Sequence, residues 1–516
     1  MIVYGDRCRI EEAGTVSLSV RHSLARAGTM PPGVDRHAVL VRAFIRASEL
    51  LQGVADAEFE RRGFDAGSAL QDSGAALLSG LAVEIDRSWR SRFASHLQLC
   101  SLPRYTEELS QAGRIKTKTA EGYAHYALYP ESYLEAARRS GLGPETCVIG
   151  IRSIGTGLAA LVAAALGAGP AVTVRPKGHP FRREIRASDD LLGSAVANTA
   201  VQFAVVDEGP GLSGSSFASV ARWLAKRGVD LERIHFFPSH DGEPGDAATP
   251  ATRNVWRRCP RHPACPEEVV VQAPTVQSWV QNILGPLRRP LEEFPQMSSP
   301  QDVRFGRRKF LARNGAGSWL VKFAGLGDIG ERKLHDAQAL AAAGFGPETA
   351  GLCYGFLMQR YIKATHLDTS NDQRSRFIER LGSYLSFRAQ RLAAHEGGAS
   401  LDELRCMTVE NTLRSLGADA SDKIARRLGD LPALESCVRQ VRTDNRLQAW
   451  EWLVTGDGFL KIDAVDHCEG HDLIGCQDIA WDVAGGIAEH DLTAAEAASL
   501  CHVIEASGTK VNVPLL

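Results

Sequence analysis

Two carboxylates, Asp207 and Glu208, close a short apolar run that begins at Val201. Gly209-Pro210-Gly211-Leu212-Ser213-Gly214-Ser215-Ser216 follows. The run has the composition of a buried parallel strand, and the apolar periodicity through Trp223 and Leu224 predicts a helix after it. A strand, a loop of small residues and a helix N-terminus make a cradle for an anion. Backbone N–H groups and the helix dipole face the loop, and Gly and Ser let phosphate oxygens approach. No Lys follows the glycines and the GxGxxG spacing is absent, so this is neither a Walker A loop nor a dinucleotide fingerprint. A second grouping, Cys259, His262 and Cys265 with His240 nearby, offers zinc-type ligands. It has one paired element where strong zinc motifs show two.

The elements that must position these residues alternate along the middle of the chain. Cys147–Ile151 reads as a strand, Ser153-Ile154-Gly155-Thr156 as a small-residue loop, and the Ala/Leu-rich stretch to about Leu166 as a helix. Further strands are expected at Ala171–Arg175, Val201–Val206 and Arg233–Pro238, which together imply a parallel sheet with helices on both faces. Before them, helical spacing appears at His37–Leu51 and from about Ala75 to Trp89. After them, Arg308–Arg313 and Ser318–Phe323 alternate around Asn314-Gly315-Ala316-Gly317 and predict a hairpin. A helix from Ile329 to about Ala343, a strand at Tyr354–Ile362 and a helical region over about 371–440 complete the reading.

The stretch from Cys147 to Ser216 resembles the type I phosphoribosyltransferases. The resemblance implies that Asp207 and Glu208 bind the ribose hydroxyls of phosphoribosyl pyrophosphate, and that Ser213, Gly214, Ser215 and Ser216 hold its 5-phosphate. It places Arg152, Ser153, Gly155 and Thr156 in the pyrophosphate loop, and Arg175, Lys177 and Arg182, with Arg183, in a basic segment before the signature strand. The spacer Gly209–Leu212 is about one residue longer than the family's. Pyrophosphate leaves as a polyanion, so cations and N–H donors must gather where charge develops. The family also uses Mg²⁺ there.

Residues 305–516 resemble the aminoglycoside- and choline-kinase-type phosphotransferases. The resemblance makes Lys322 the lysine on the ATP phosphates and Glu331 its helix partner. Residues 357–361, with Gln359 and Tyr361, become the adenine hinge, Asp463 the metal ligand and Asp444 the acceptor-side carboxylate. Asp478-Ile-Ala-Trp-Asp482 matches the helix start that supports the catalytic loop. Arg442-Thr443-Asp444 replaces the usual His-Gly-Asp, and Ala449 stands where a metal-binding Asn is expected, with Asn445, Gln448 or Glu451 as substitutes. Phosphoryl transfer needs a lysine on phosphate, a carboxylate on Mg²⁺ and a carboxylate beside the acceptor hydroxyl. His467, His471 and Cys476 read as core or hydrogen-bonding groups near Asp463 rather than as metal ligands.

Bulk properties narrow the field. A chain of 516 residues exceeds one core, and 44% hydrophobic with 23% charged residues is ordinary for a folded protein. The net charge of −2 gives no basic field for nucleic acid. No apolar run reaches the ~18 residues of a membrane helix, and eleven scattered cysteines fit reduced thiols in the cytoplasm. The expected fold is α/β and multidomain. It comprises a mainly helical region (1–115), a parallel-sheet phosphoribosyltransferase-like domain (116–250), a connector (251–304) and a bilobal kinase-like α+β domain (305–516). The expected function is bifunctional, with glycosyl transfer from phosphoribosyl pyrophosphate to a base and phosphoryl transfer from ATP to a small hydroxylated acceptor. Small molecules are the expected partners and a homodimer is compatible with the reading. The alternative is a nucleotide sensor that binds both ligands without turnover.

Overall fold

Strand Cys147–Ile151 lies at the centre of a four-stranded parallel sheet, with Val172–Val174 on one side and Phe203–Val206 then Ile234–Phe237 on the other. These strands are apolar along their length because helices cover the sheet. Gly155–Leu166 packs on one face, and Ser215–Ala225 closes a core with Phe217, Phe236 and Trp256 on the other. The chain first leaves the central strand toward one edge and then returns to the other. The topological switch point therefore falls between Cys147–Ile151 and Phe203–Val206, where open α/β sheets bind ligands. The two loops flagged in the sequence follow those two strands.

The computed structural model describes residues 8–294, 309–368, 373–394, 397–428, 431–456, 458–468 and 474–516. The expected boundary at 304/305, Arg308, His471 and Asp472 lie outside the described residues. Within them no helix is long and apolar enough to cross a membrane.

The later part of the chain holds a five-stranded antiparallel sheet in the order Thr349–Cys353, Phe356–Arg360, Gly317–Phe323, Lys309–Asn314, Glu292–Glu293. Helix Gly327–Ala342 crosses from the third of these strands toward the first. A helical part follows, built on Arg374–Arg391, Ile479–Glu489 and Ala494–Ala506, with the small sheet Thr365–His366, Trp452–Thr455 and Gly458–Lys461.

The first 115 residues are not only helical, since Cys8–Glu12 pairs with Arg114–Lys118. One core runs through helices Val34–Arg62 and Ala69–Arg90, helix Gly155–Leu166, Trp279 and the antiparallel sheet; Phe44, Leu77, Leu158, Val321 and Phe356 all belong to it. Trp279 comes from helix Ala273–Leu284, and Glu292–Glu293 adds an edge strand, so residues 251–294 pack as part of the body. A buried polar chain crosses the same region. His37 bonds Ser88 at 2.9 Å and Glu131 at 2.7 Å, and the Tyr354 hydroxyl donates to Glu131 at 2.8 Å. Such a network stabilises when every partner is present and destabilises when one is lost.

A fragment comprising residues 305–516 alone will be insoluble or lack a cooperative unfolding transition, because it exposes the face carrying Phe310, Val321 and Phe356. A soluble fragment that melts cooperatively would contradict the shared core.

Candidate functional site

Lys322 sits in the third strand of the antiparallel sheet with its side chain 3% exposed. Its Nζ donates to Asp463 Oδ1 at 2.8 Å and Asp466 Oδ2 at 2.7 Å. Lys333, from helix Gly327–Ala342, reaches Asp466 at 3.3 Å, and Lys309 reaches Asp463 at 3.5 Å. Burial alone would lower the Lys322 ammonium, but Asp463 and Asp466 outweigh it and hold it above its ordinary value. Lys322 in turn holds the Asp463 carboxyl well below the usual carboxylate range. Three ammoniums gather around these two carboxylates. The ammoniums suit phosphate oxygens, and Asp463 suits a hard cation carried by them. The residues thus fit magnesium nucleotide, with Asp463, 28% exposed, as the oxygen ligand.

Glu331, the expected partner of Lys322, is elsewhere. It pairs with Arg42 on helix Val34–Arg62, because the inward face of helix Gly327–Ala342 carries Lys333 and Asp336 instead. Gln359 lies in a strand flanked on both sides, with its side chain donating to Thr349 at 3.3 Å. Tyr361 donates its backbone N–H to Ser318 at 2.9 Å. Neither of these backbone N–H groups is open to adenine.

Asp444 lies in the loop after Gln440–Val441, and its side chain is fully enclosed. Tyr384 donates to its Oδ2, Lys461 lies at 3.4 Å and Arg388 at 3.6 Å. Arg388 also donates to the carbonyls of Arg442, Thr443 and Ala464, each at 2.9 Å, tying the Asp444 loop to the Asp463 segment. Asp482 accepts the backbone N–H of Asp444 at 2.6 Å and of Asn445 at 2.9 Å. The expectation that the Asp478–Asp482 helix start supports this loop has this geometry behind it. Burial raises the Asp444 carboxyl, but Lys461, His467 and Arg388 outweigh it and bring it down to about 2. Burial pushes Asp482 up to about 6. A carboxylate held so low and sealed from solvent is a poor proton acceptor for a substrate hydroxyl.

Asp207 and Glu208, both half-buried, stand at the carboxyl end of Phe203–Val206. The Tyr133 hydroxyl donates to the Asp207 carbonyl at 2.9 Å. Gly155 is close-packed on this strand end; a Cβ there would lie 2.6 Å from the Val206 carbonyl oxygen and 3.5 Å from Asp207 Oδ1. Thr156, on the same turn, is buried with its hydroxyl unpartnered. Gly214 takes φ +60° to start helix Ser215–Ala225, a conformation that favours glycine. The hydroxyls of Ser213 and Ser215 donate to the Pro180 carbonyl at 3.3 and 2.6 Å, so the turn of hairpin Lys177–Glu184 lies on this loop. Ser216 begins the helix half-buried.

Two of the expected basic ligands are spoken for. Arg152 is buried on Asp56 at 3.0 Å and on Asp65, and Arg175 on Asp56 at 2.8 Å with its backbone N–H on Asp65 at 2.7 Å. Ser153 accepts from Arg175 at 3.5 Å. Of the others, Lys177 is exposed over the Phe59 ring and Arg182 is exposed on the hairpin. The cysteine and histidine grouping does not converge. Cys259 is in the core beside Trp256, burial pushes its thiol up to about 12, and His262 stacks on His235. Among the described residues the only convergent metal-type grouping is Asp444, Glu451 and His467.

Sequence reasoning missed Lys309, Lys333, Asp466, Tyr384, Arg388 and Lys461. The Asp463-Ala-Val-Asp466 spacing was a readable signal for Asp466; the others lie in no motif.

No family model and no curated protein matches the chain. Solved structures give a partial likeness. The choline kinase LicA of Streptococcus pneumoniae is 14% identical, with 46% of this chain and 81% of that one covered at a TM-score of 0.32. The macrolide 2'-phosphotransferase of Brachybacterium faecium is 14% identical, with 46% and 84% covered at 0.32. A spectinomycin phosphotransferase in complex with ADP and spectinomycin is 14% identical, with 45% and 80% covered at 0.29. At these scores the likeness carries no functional argument, which rests on the side chains.

Asp444 makes stability fall at acid pH with a definite sign. Its folded value lies below its ordinary 3.8, so its contribution is complete above about 4 and is lost as the pH drops through about 2. The contribution is on the order of 2 kcal/mol. Denaturant titrations between pH 5 and 2 should show this decline in the parent protein and a shallower one in Asp444→Asn. Equal slopes would contradict it.

Proposed function

We propose that the Lys322–Asp463 cleft binds magnesium ATP and that the protein transfers its γ-phosphoryl group to a small hydroxylated acceptor. The observation carrying this reading is the buried Lys322 ammonium held between Asp463 and Asp466, with Lys333 and Lys309 alongside. Lys322 would take phosphate oxygens in place of the carboxylates, and Asp463 would hold the magnesium ion. Bound magnesium neutralises charge that builds on the phosphates during transfer. Lys309 and Lys333 stabilise the rest of that charge, and Arg388 and Asp482 fix the Asp444 loop relative to Asp463. The acceptor oxygen forms its bond to phosphorus as the bond to the ADP oxygen breaks, ADP leaves, and the hydroxyl proton passes to solvent water rather than to the enclosed Asp444. Lys322→Met should lower the rate of ATP consumption with an acceptor panel by about 10²–10³-fold and weaken nucleotide binding by calorimetry. Unchanged binding would overturn the reading. Tight binding with no turnover on any acceptor would favour a nucleotide sensor, to which the enclosed Asp444 lends support.

A second reading concerns the parallel sheet, and its support is the position of Asp207 and Glu208 at the switch point beside the Gly155 turn. There the acids hold the ribose hydroxyls of phosphoribosyl pyrophosphate, and the Ser213–Ser216 loop takes the 5-phosphate once the Pro180 carbonyl withdraws. The pyrophosphate contacts come from backbone N–H groups and from Lys177 and Arg182, since Arg152 and Arg175 are paired. With phosphoribosyl pyrophosphate, Mg²⁺ and a panel of bases, pyrophosphate release should occur and be abolished in Asp207→Asn. No release and no binding of phosphoribosyl pyrophosphate would remove this reading and leave the first intact.

A further inference from the structure

Beneath the Asp444 loop, three side chains from separate segments turn toward one point. Asp444 follows strand Gln440–Val441, Glu451 ends the short helix Ala449–Glu451, and His467 lies beyond Asp463. One ligand atom from each lies within 4.8 Å of the other two. The arrangement of oxygens is ordered. Lys461 takes Glu451 Oε2 at 2.5 Å and faces Asp444 Oδ2 at 3.4 Å, which turns the remaining oxygen of each acid toward the imidazole. Asp444 Oδ1 lies 3.7 Å from His467 Nδ1, and Glu451 Oε1 lies 3.8 Å from His467 Nε2. These gaps exceed a hydrogen bond, and Asp444 Oδ1 and His467 Nδ1 are buried with no hydrogen-bond partner. Asp444 is 1% exposed, so leaving that oxygen unmatched is costly.

The acids here are also held by cations, with Lys461 on Glu451 and facing Asp444, and Arg388 at 3.6 Å from Asp444. An imidazole nitrogen and two carboxylate oxygens make a mixed nitrogen–oxygen donor set, suited to first-row divalent ions rather than to Mg²⁺ or Ca²⁺. Ligand atoms around such an ion, at bonds of about 2.1 Å, stand about 3–3.5 Å apart. The two acids face different nitrogens of the ring, and one atom from each of the three residues lies within 4.8 Å of the others, so closing on one ion requires side-chain shifts of about an ångström.

We propose that Asp444, Glu451 and one nitrogen of His467 form a site for a divalent ion of the Mn²⁺ or Zn²⁺ class, separate from the nucleotide's magnesium at Asp463. Lys461 is its outer partner, holding the second oxygen of each acid. The ion joins the Asp444 loop, the Ala449–Glu451 turn and the segment after Asp463. The site does not depend on nucleotide binding, so its test stands apart from the phosphotransfer reading.

The test is titration of chelator-treated, full-length protein with MnCl₂ in the absence of nucleotide, followed by electron paramagnetic resonance. One Mn²⁺ per chain should bind, pulsed spectra should show coupling to an imidazole nitrogen, and Zn²⁺ should compete where equal Mg²⁺ does not. His467→Ala should weaken binding at least tenfold. Absence of binding without nucleotide, absence of nitrogen coupling, or unaltered affinity in a folded His467→Ala would overturn the proposal. If His467→Ala does not fold, the nitrogen coupling in the parent protein decides it.

Discussion

A lysine ammonium removed from water needs negative charge, and here that charge comes from a segment more than a hundred residues further along. Lys322 is on the antiparallel sheet, and Asp463 and Asp466 are on the turn after Gly458–Lys461. Their bonds close the sheet against the helical part of the chain. Breaking such a pair on one side leaves a buried charge uncompensated, at a cost of about 3–5 kcal/mol. The same arrangement is what a polyphosphate can exploit. An anion that takes over the ammoniums frees the carboxylates for a cation, so binding exchanges one set of charge contacts for another rather than desolvating new groups.

The surrounding structure is organised to keep this cluster in register. Arg388 reaches from helix Arg374–Arg391 to three carbonyls on two loops, and Asp482 fixes two consecutive amides of one of them. On the other side, the antiparallel sheet has no core of its own. Its apolar face continues into the helices of the first ninety residues and into Tyr129 and Trp279, and the His37–Glu131–Tyr354 chain locks that union with directional bonds. The switch point of the parallel sheet and the Lys322 cluster are therefore carried by one packed body.

Much of the local structure was legible because its periodicity was strong. The strands at Cys147–Ile151, Phe203–Val206 and Gly317–Phe323 and the helix after Ile329 fall where alternation and apolar runs put them. Lys322 and Asp463 were legible as a pair only through resemblance, but the acid that completes it, Asp466, was written three residues on. What failed was pairing over distance. Arg152 and Arg175 look like anion ligands in a linear reading, yet Asp56, 96 and 119 residues earlier, takes both. Glu331 failed for a subtler reason, since helix phase turned it outward to Arg42 and left Lys333 and Asp336 facing in. Arg388, Tyr384 and Lys461 carry no local signature, because an isolated Arg, Tyr or Lys on a helix or strand is ordinary.

The most direct measurement of the central claim is a crystal structure of the full chain with Mg²⁺ and a non-hydrolysable ATP analogue. Phosphate oxygens should lie within hydrogen-bond distance of Lys322 Nζ, with a magnesium ion on Asp463 and the Lys322–Asp463 bond broken. A nucleotide bound elsewhere, or Lys322 still held by both Asp463 and Asp466 with nucleotide present, would contradict it.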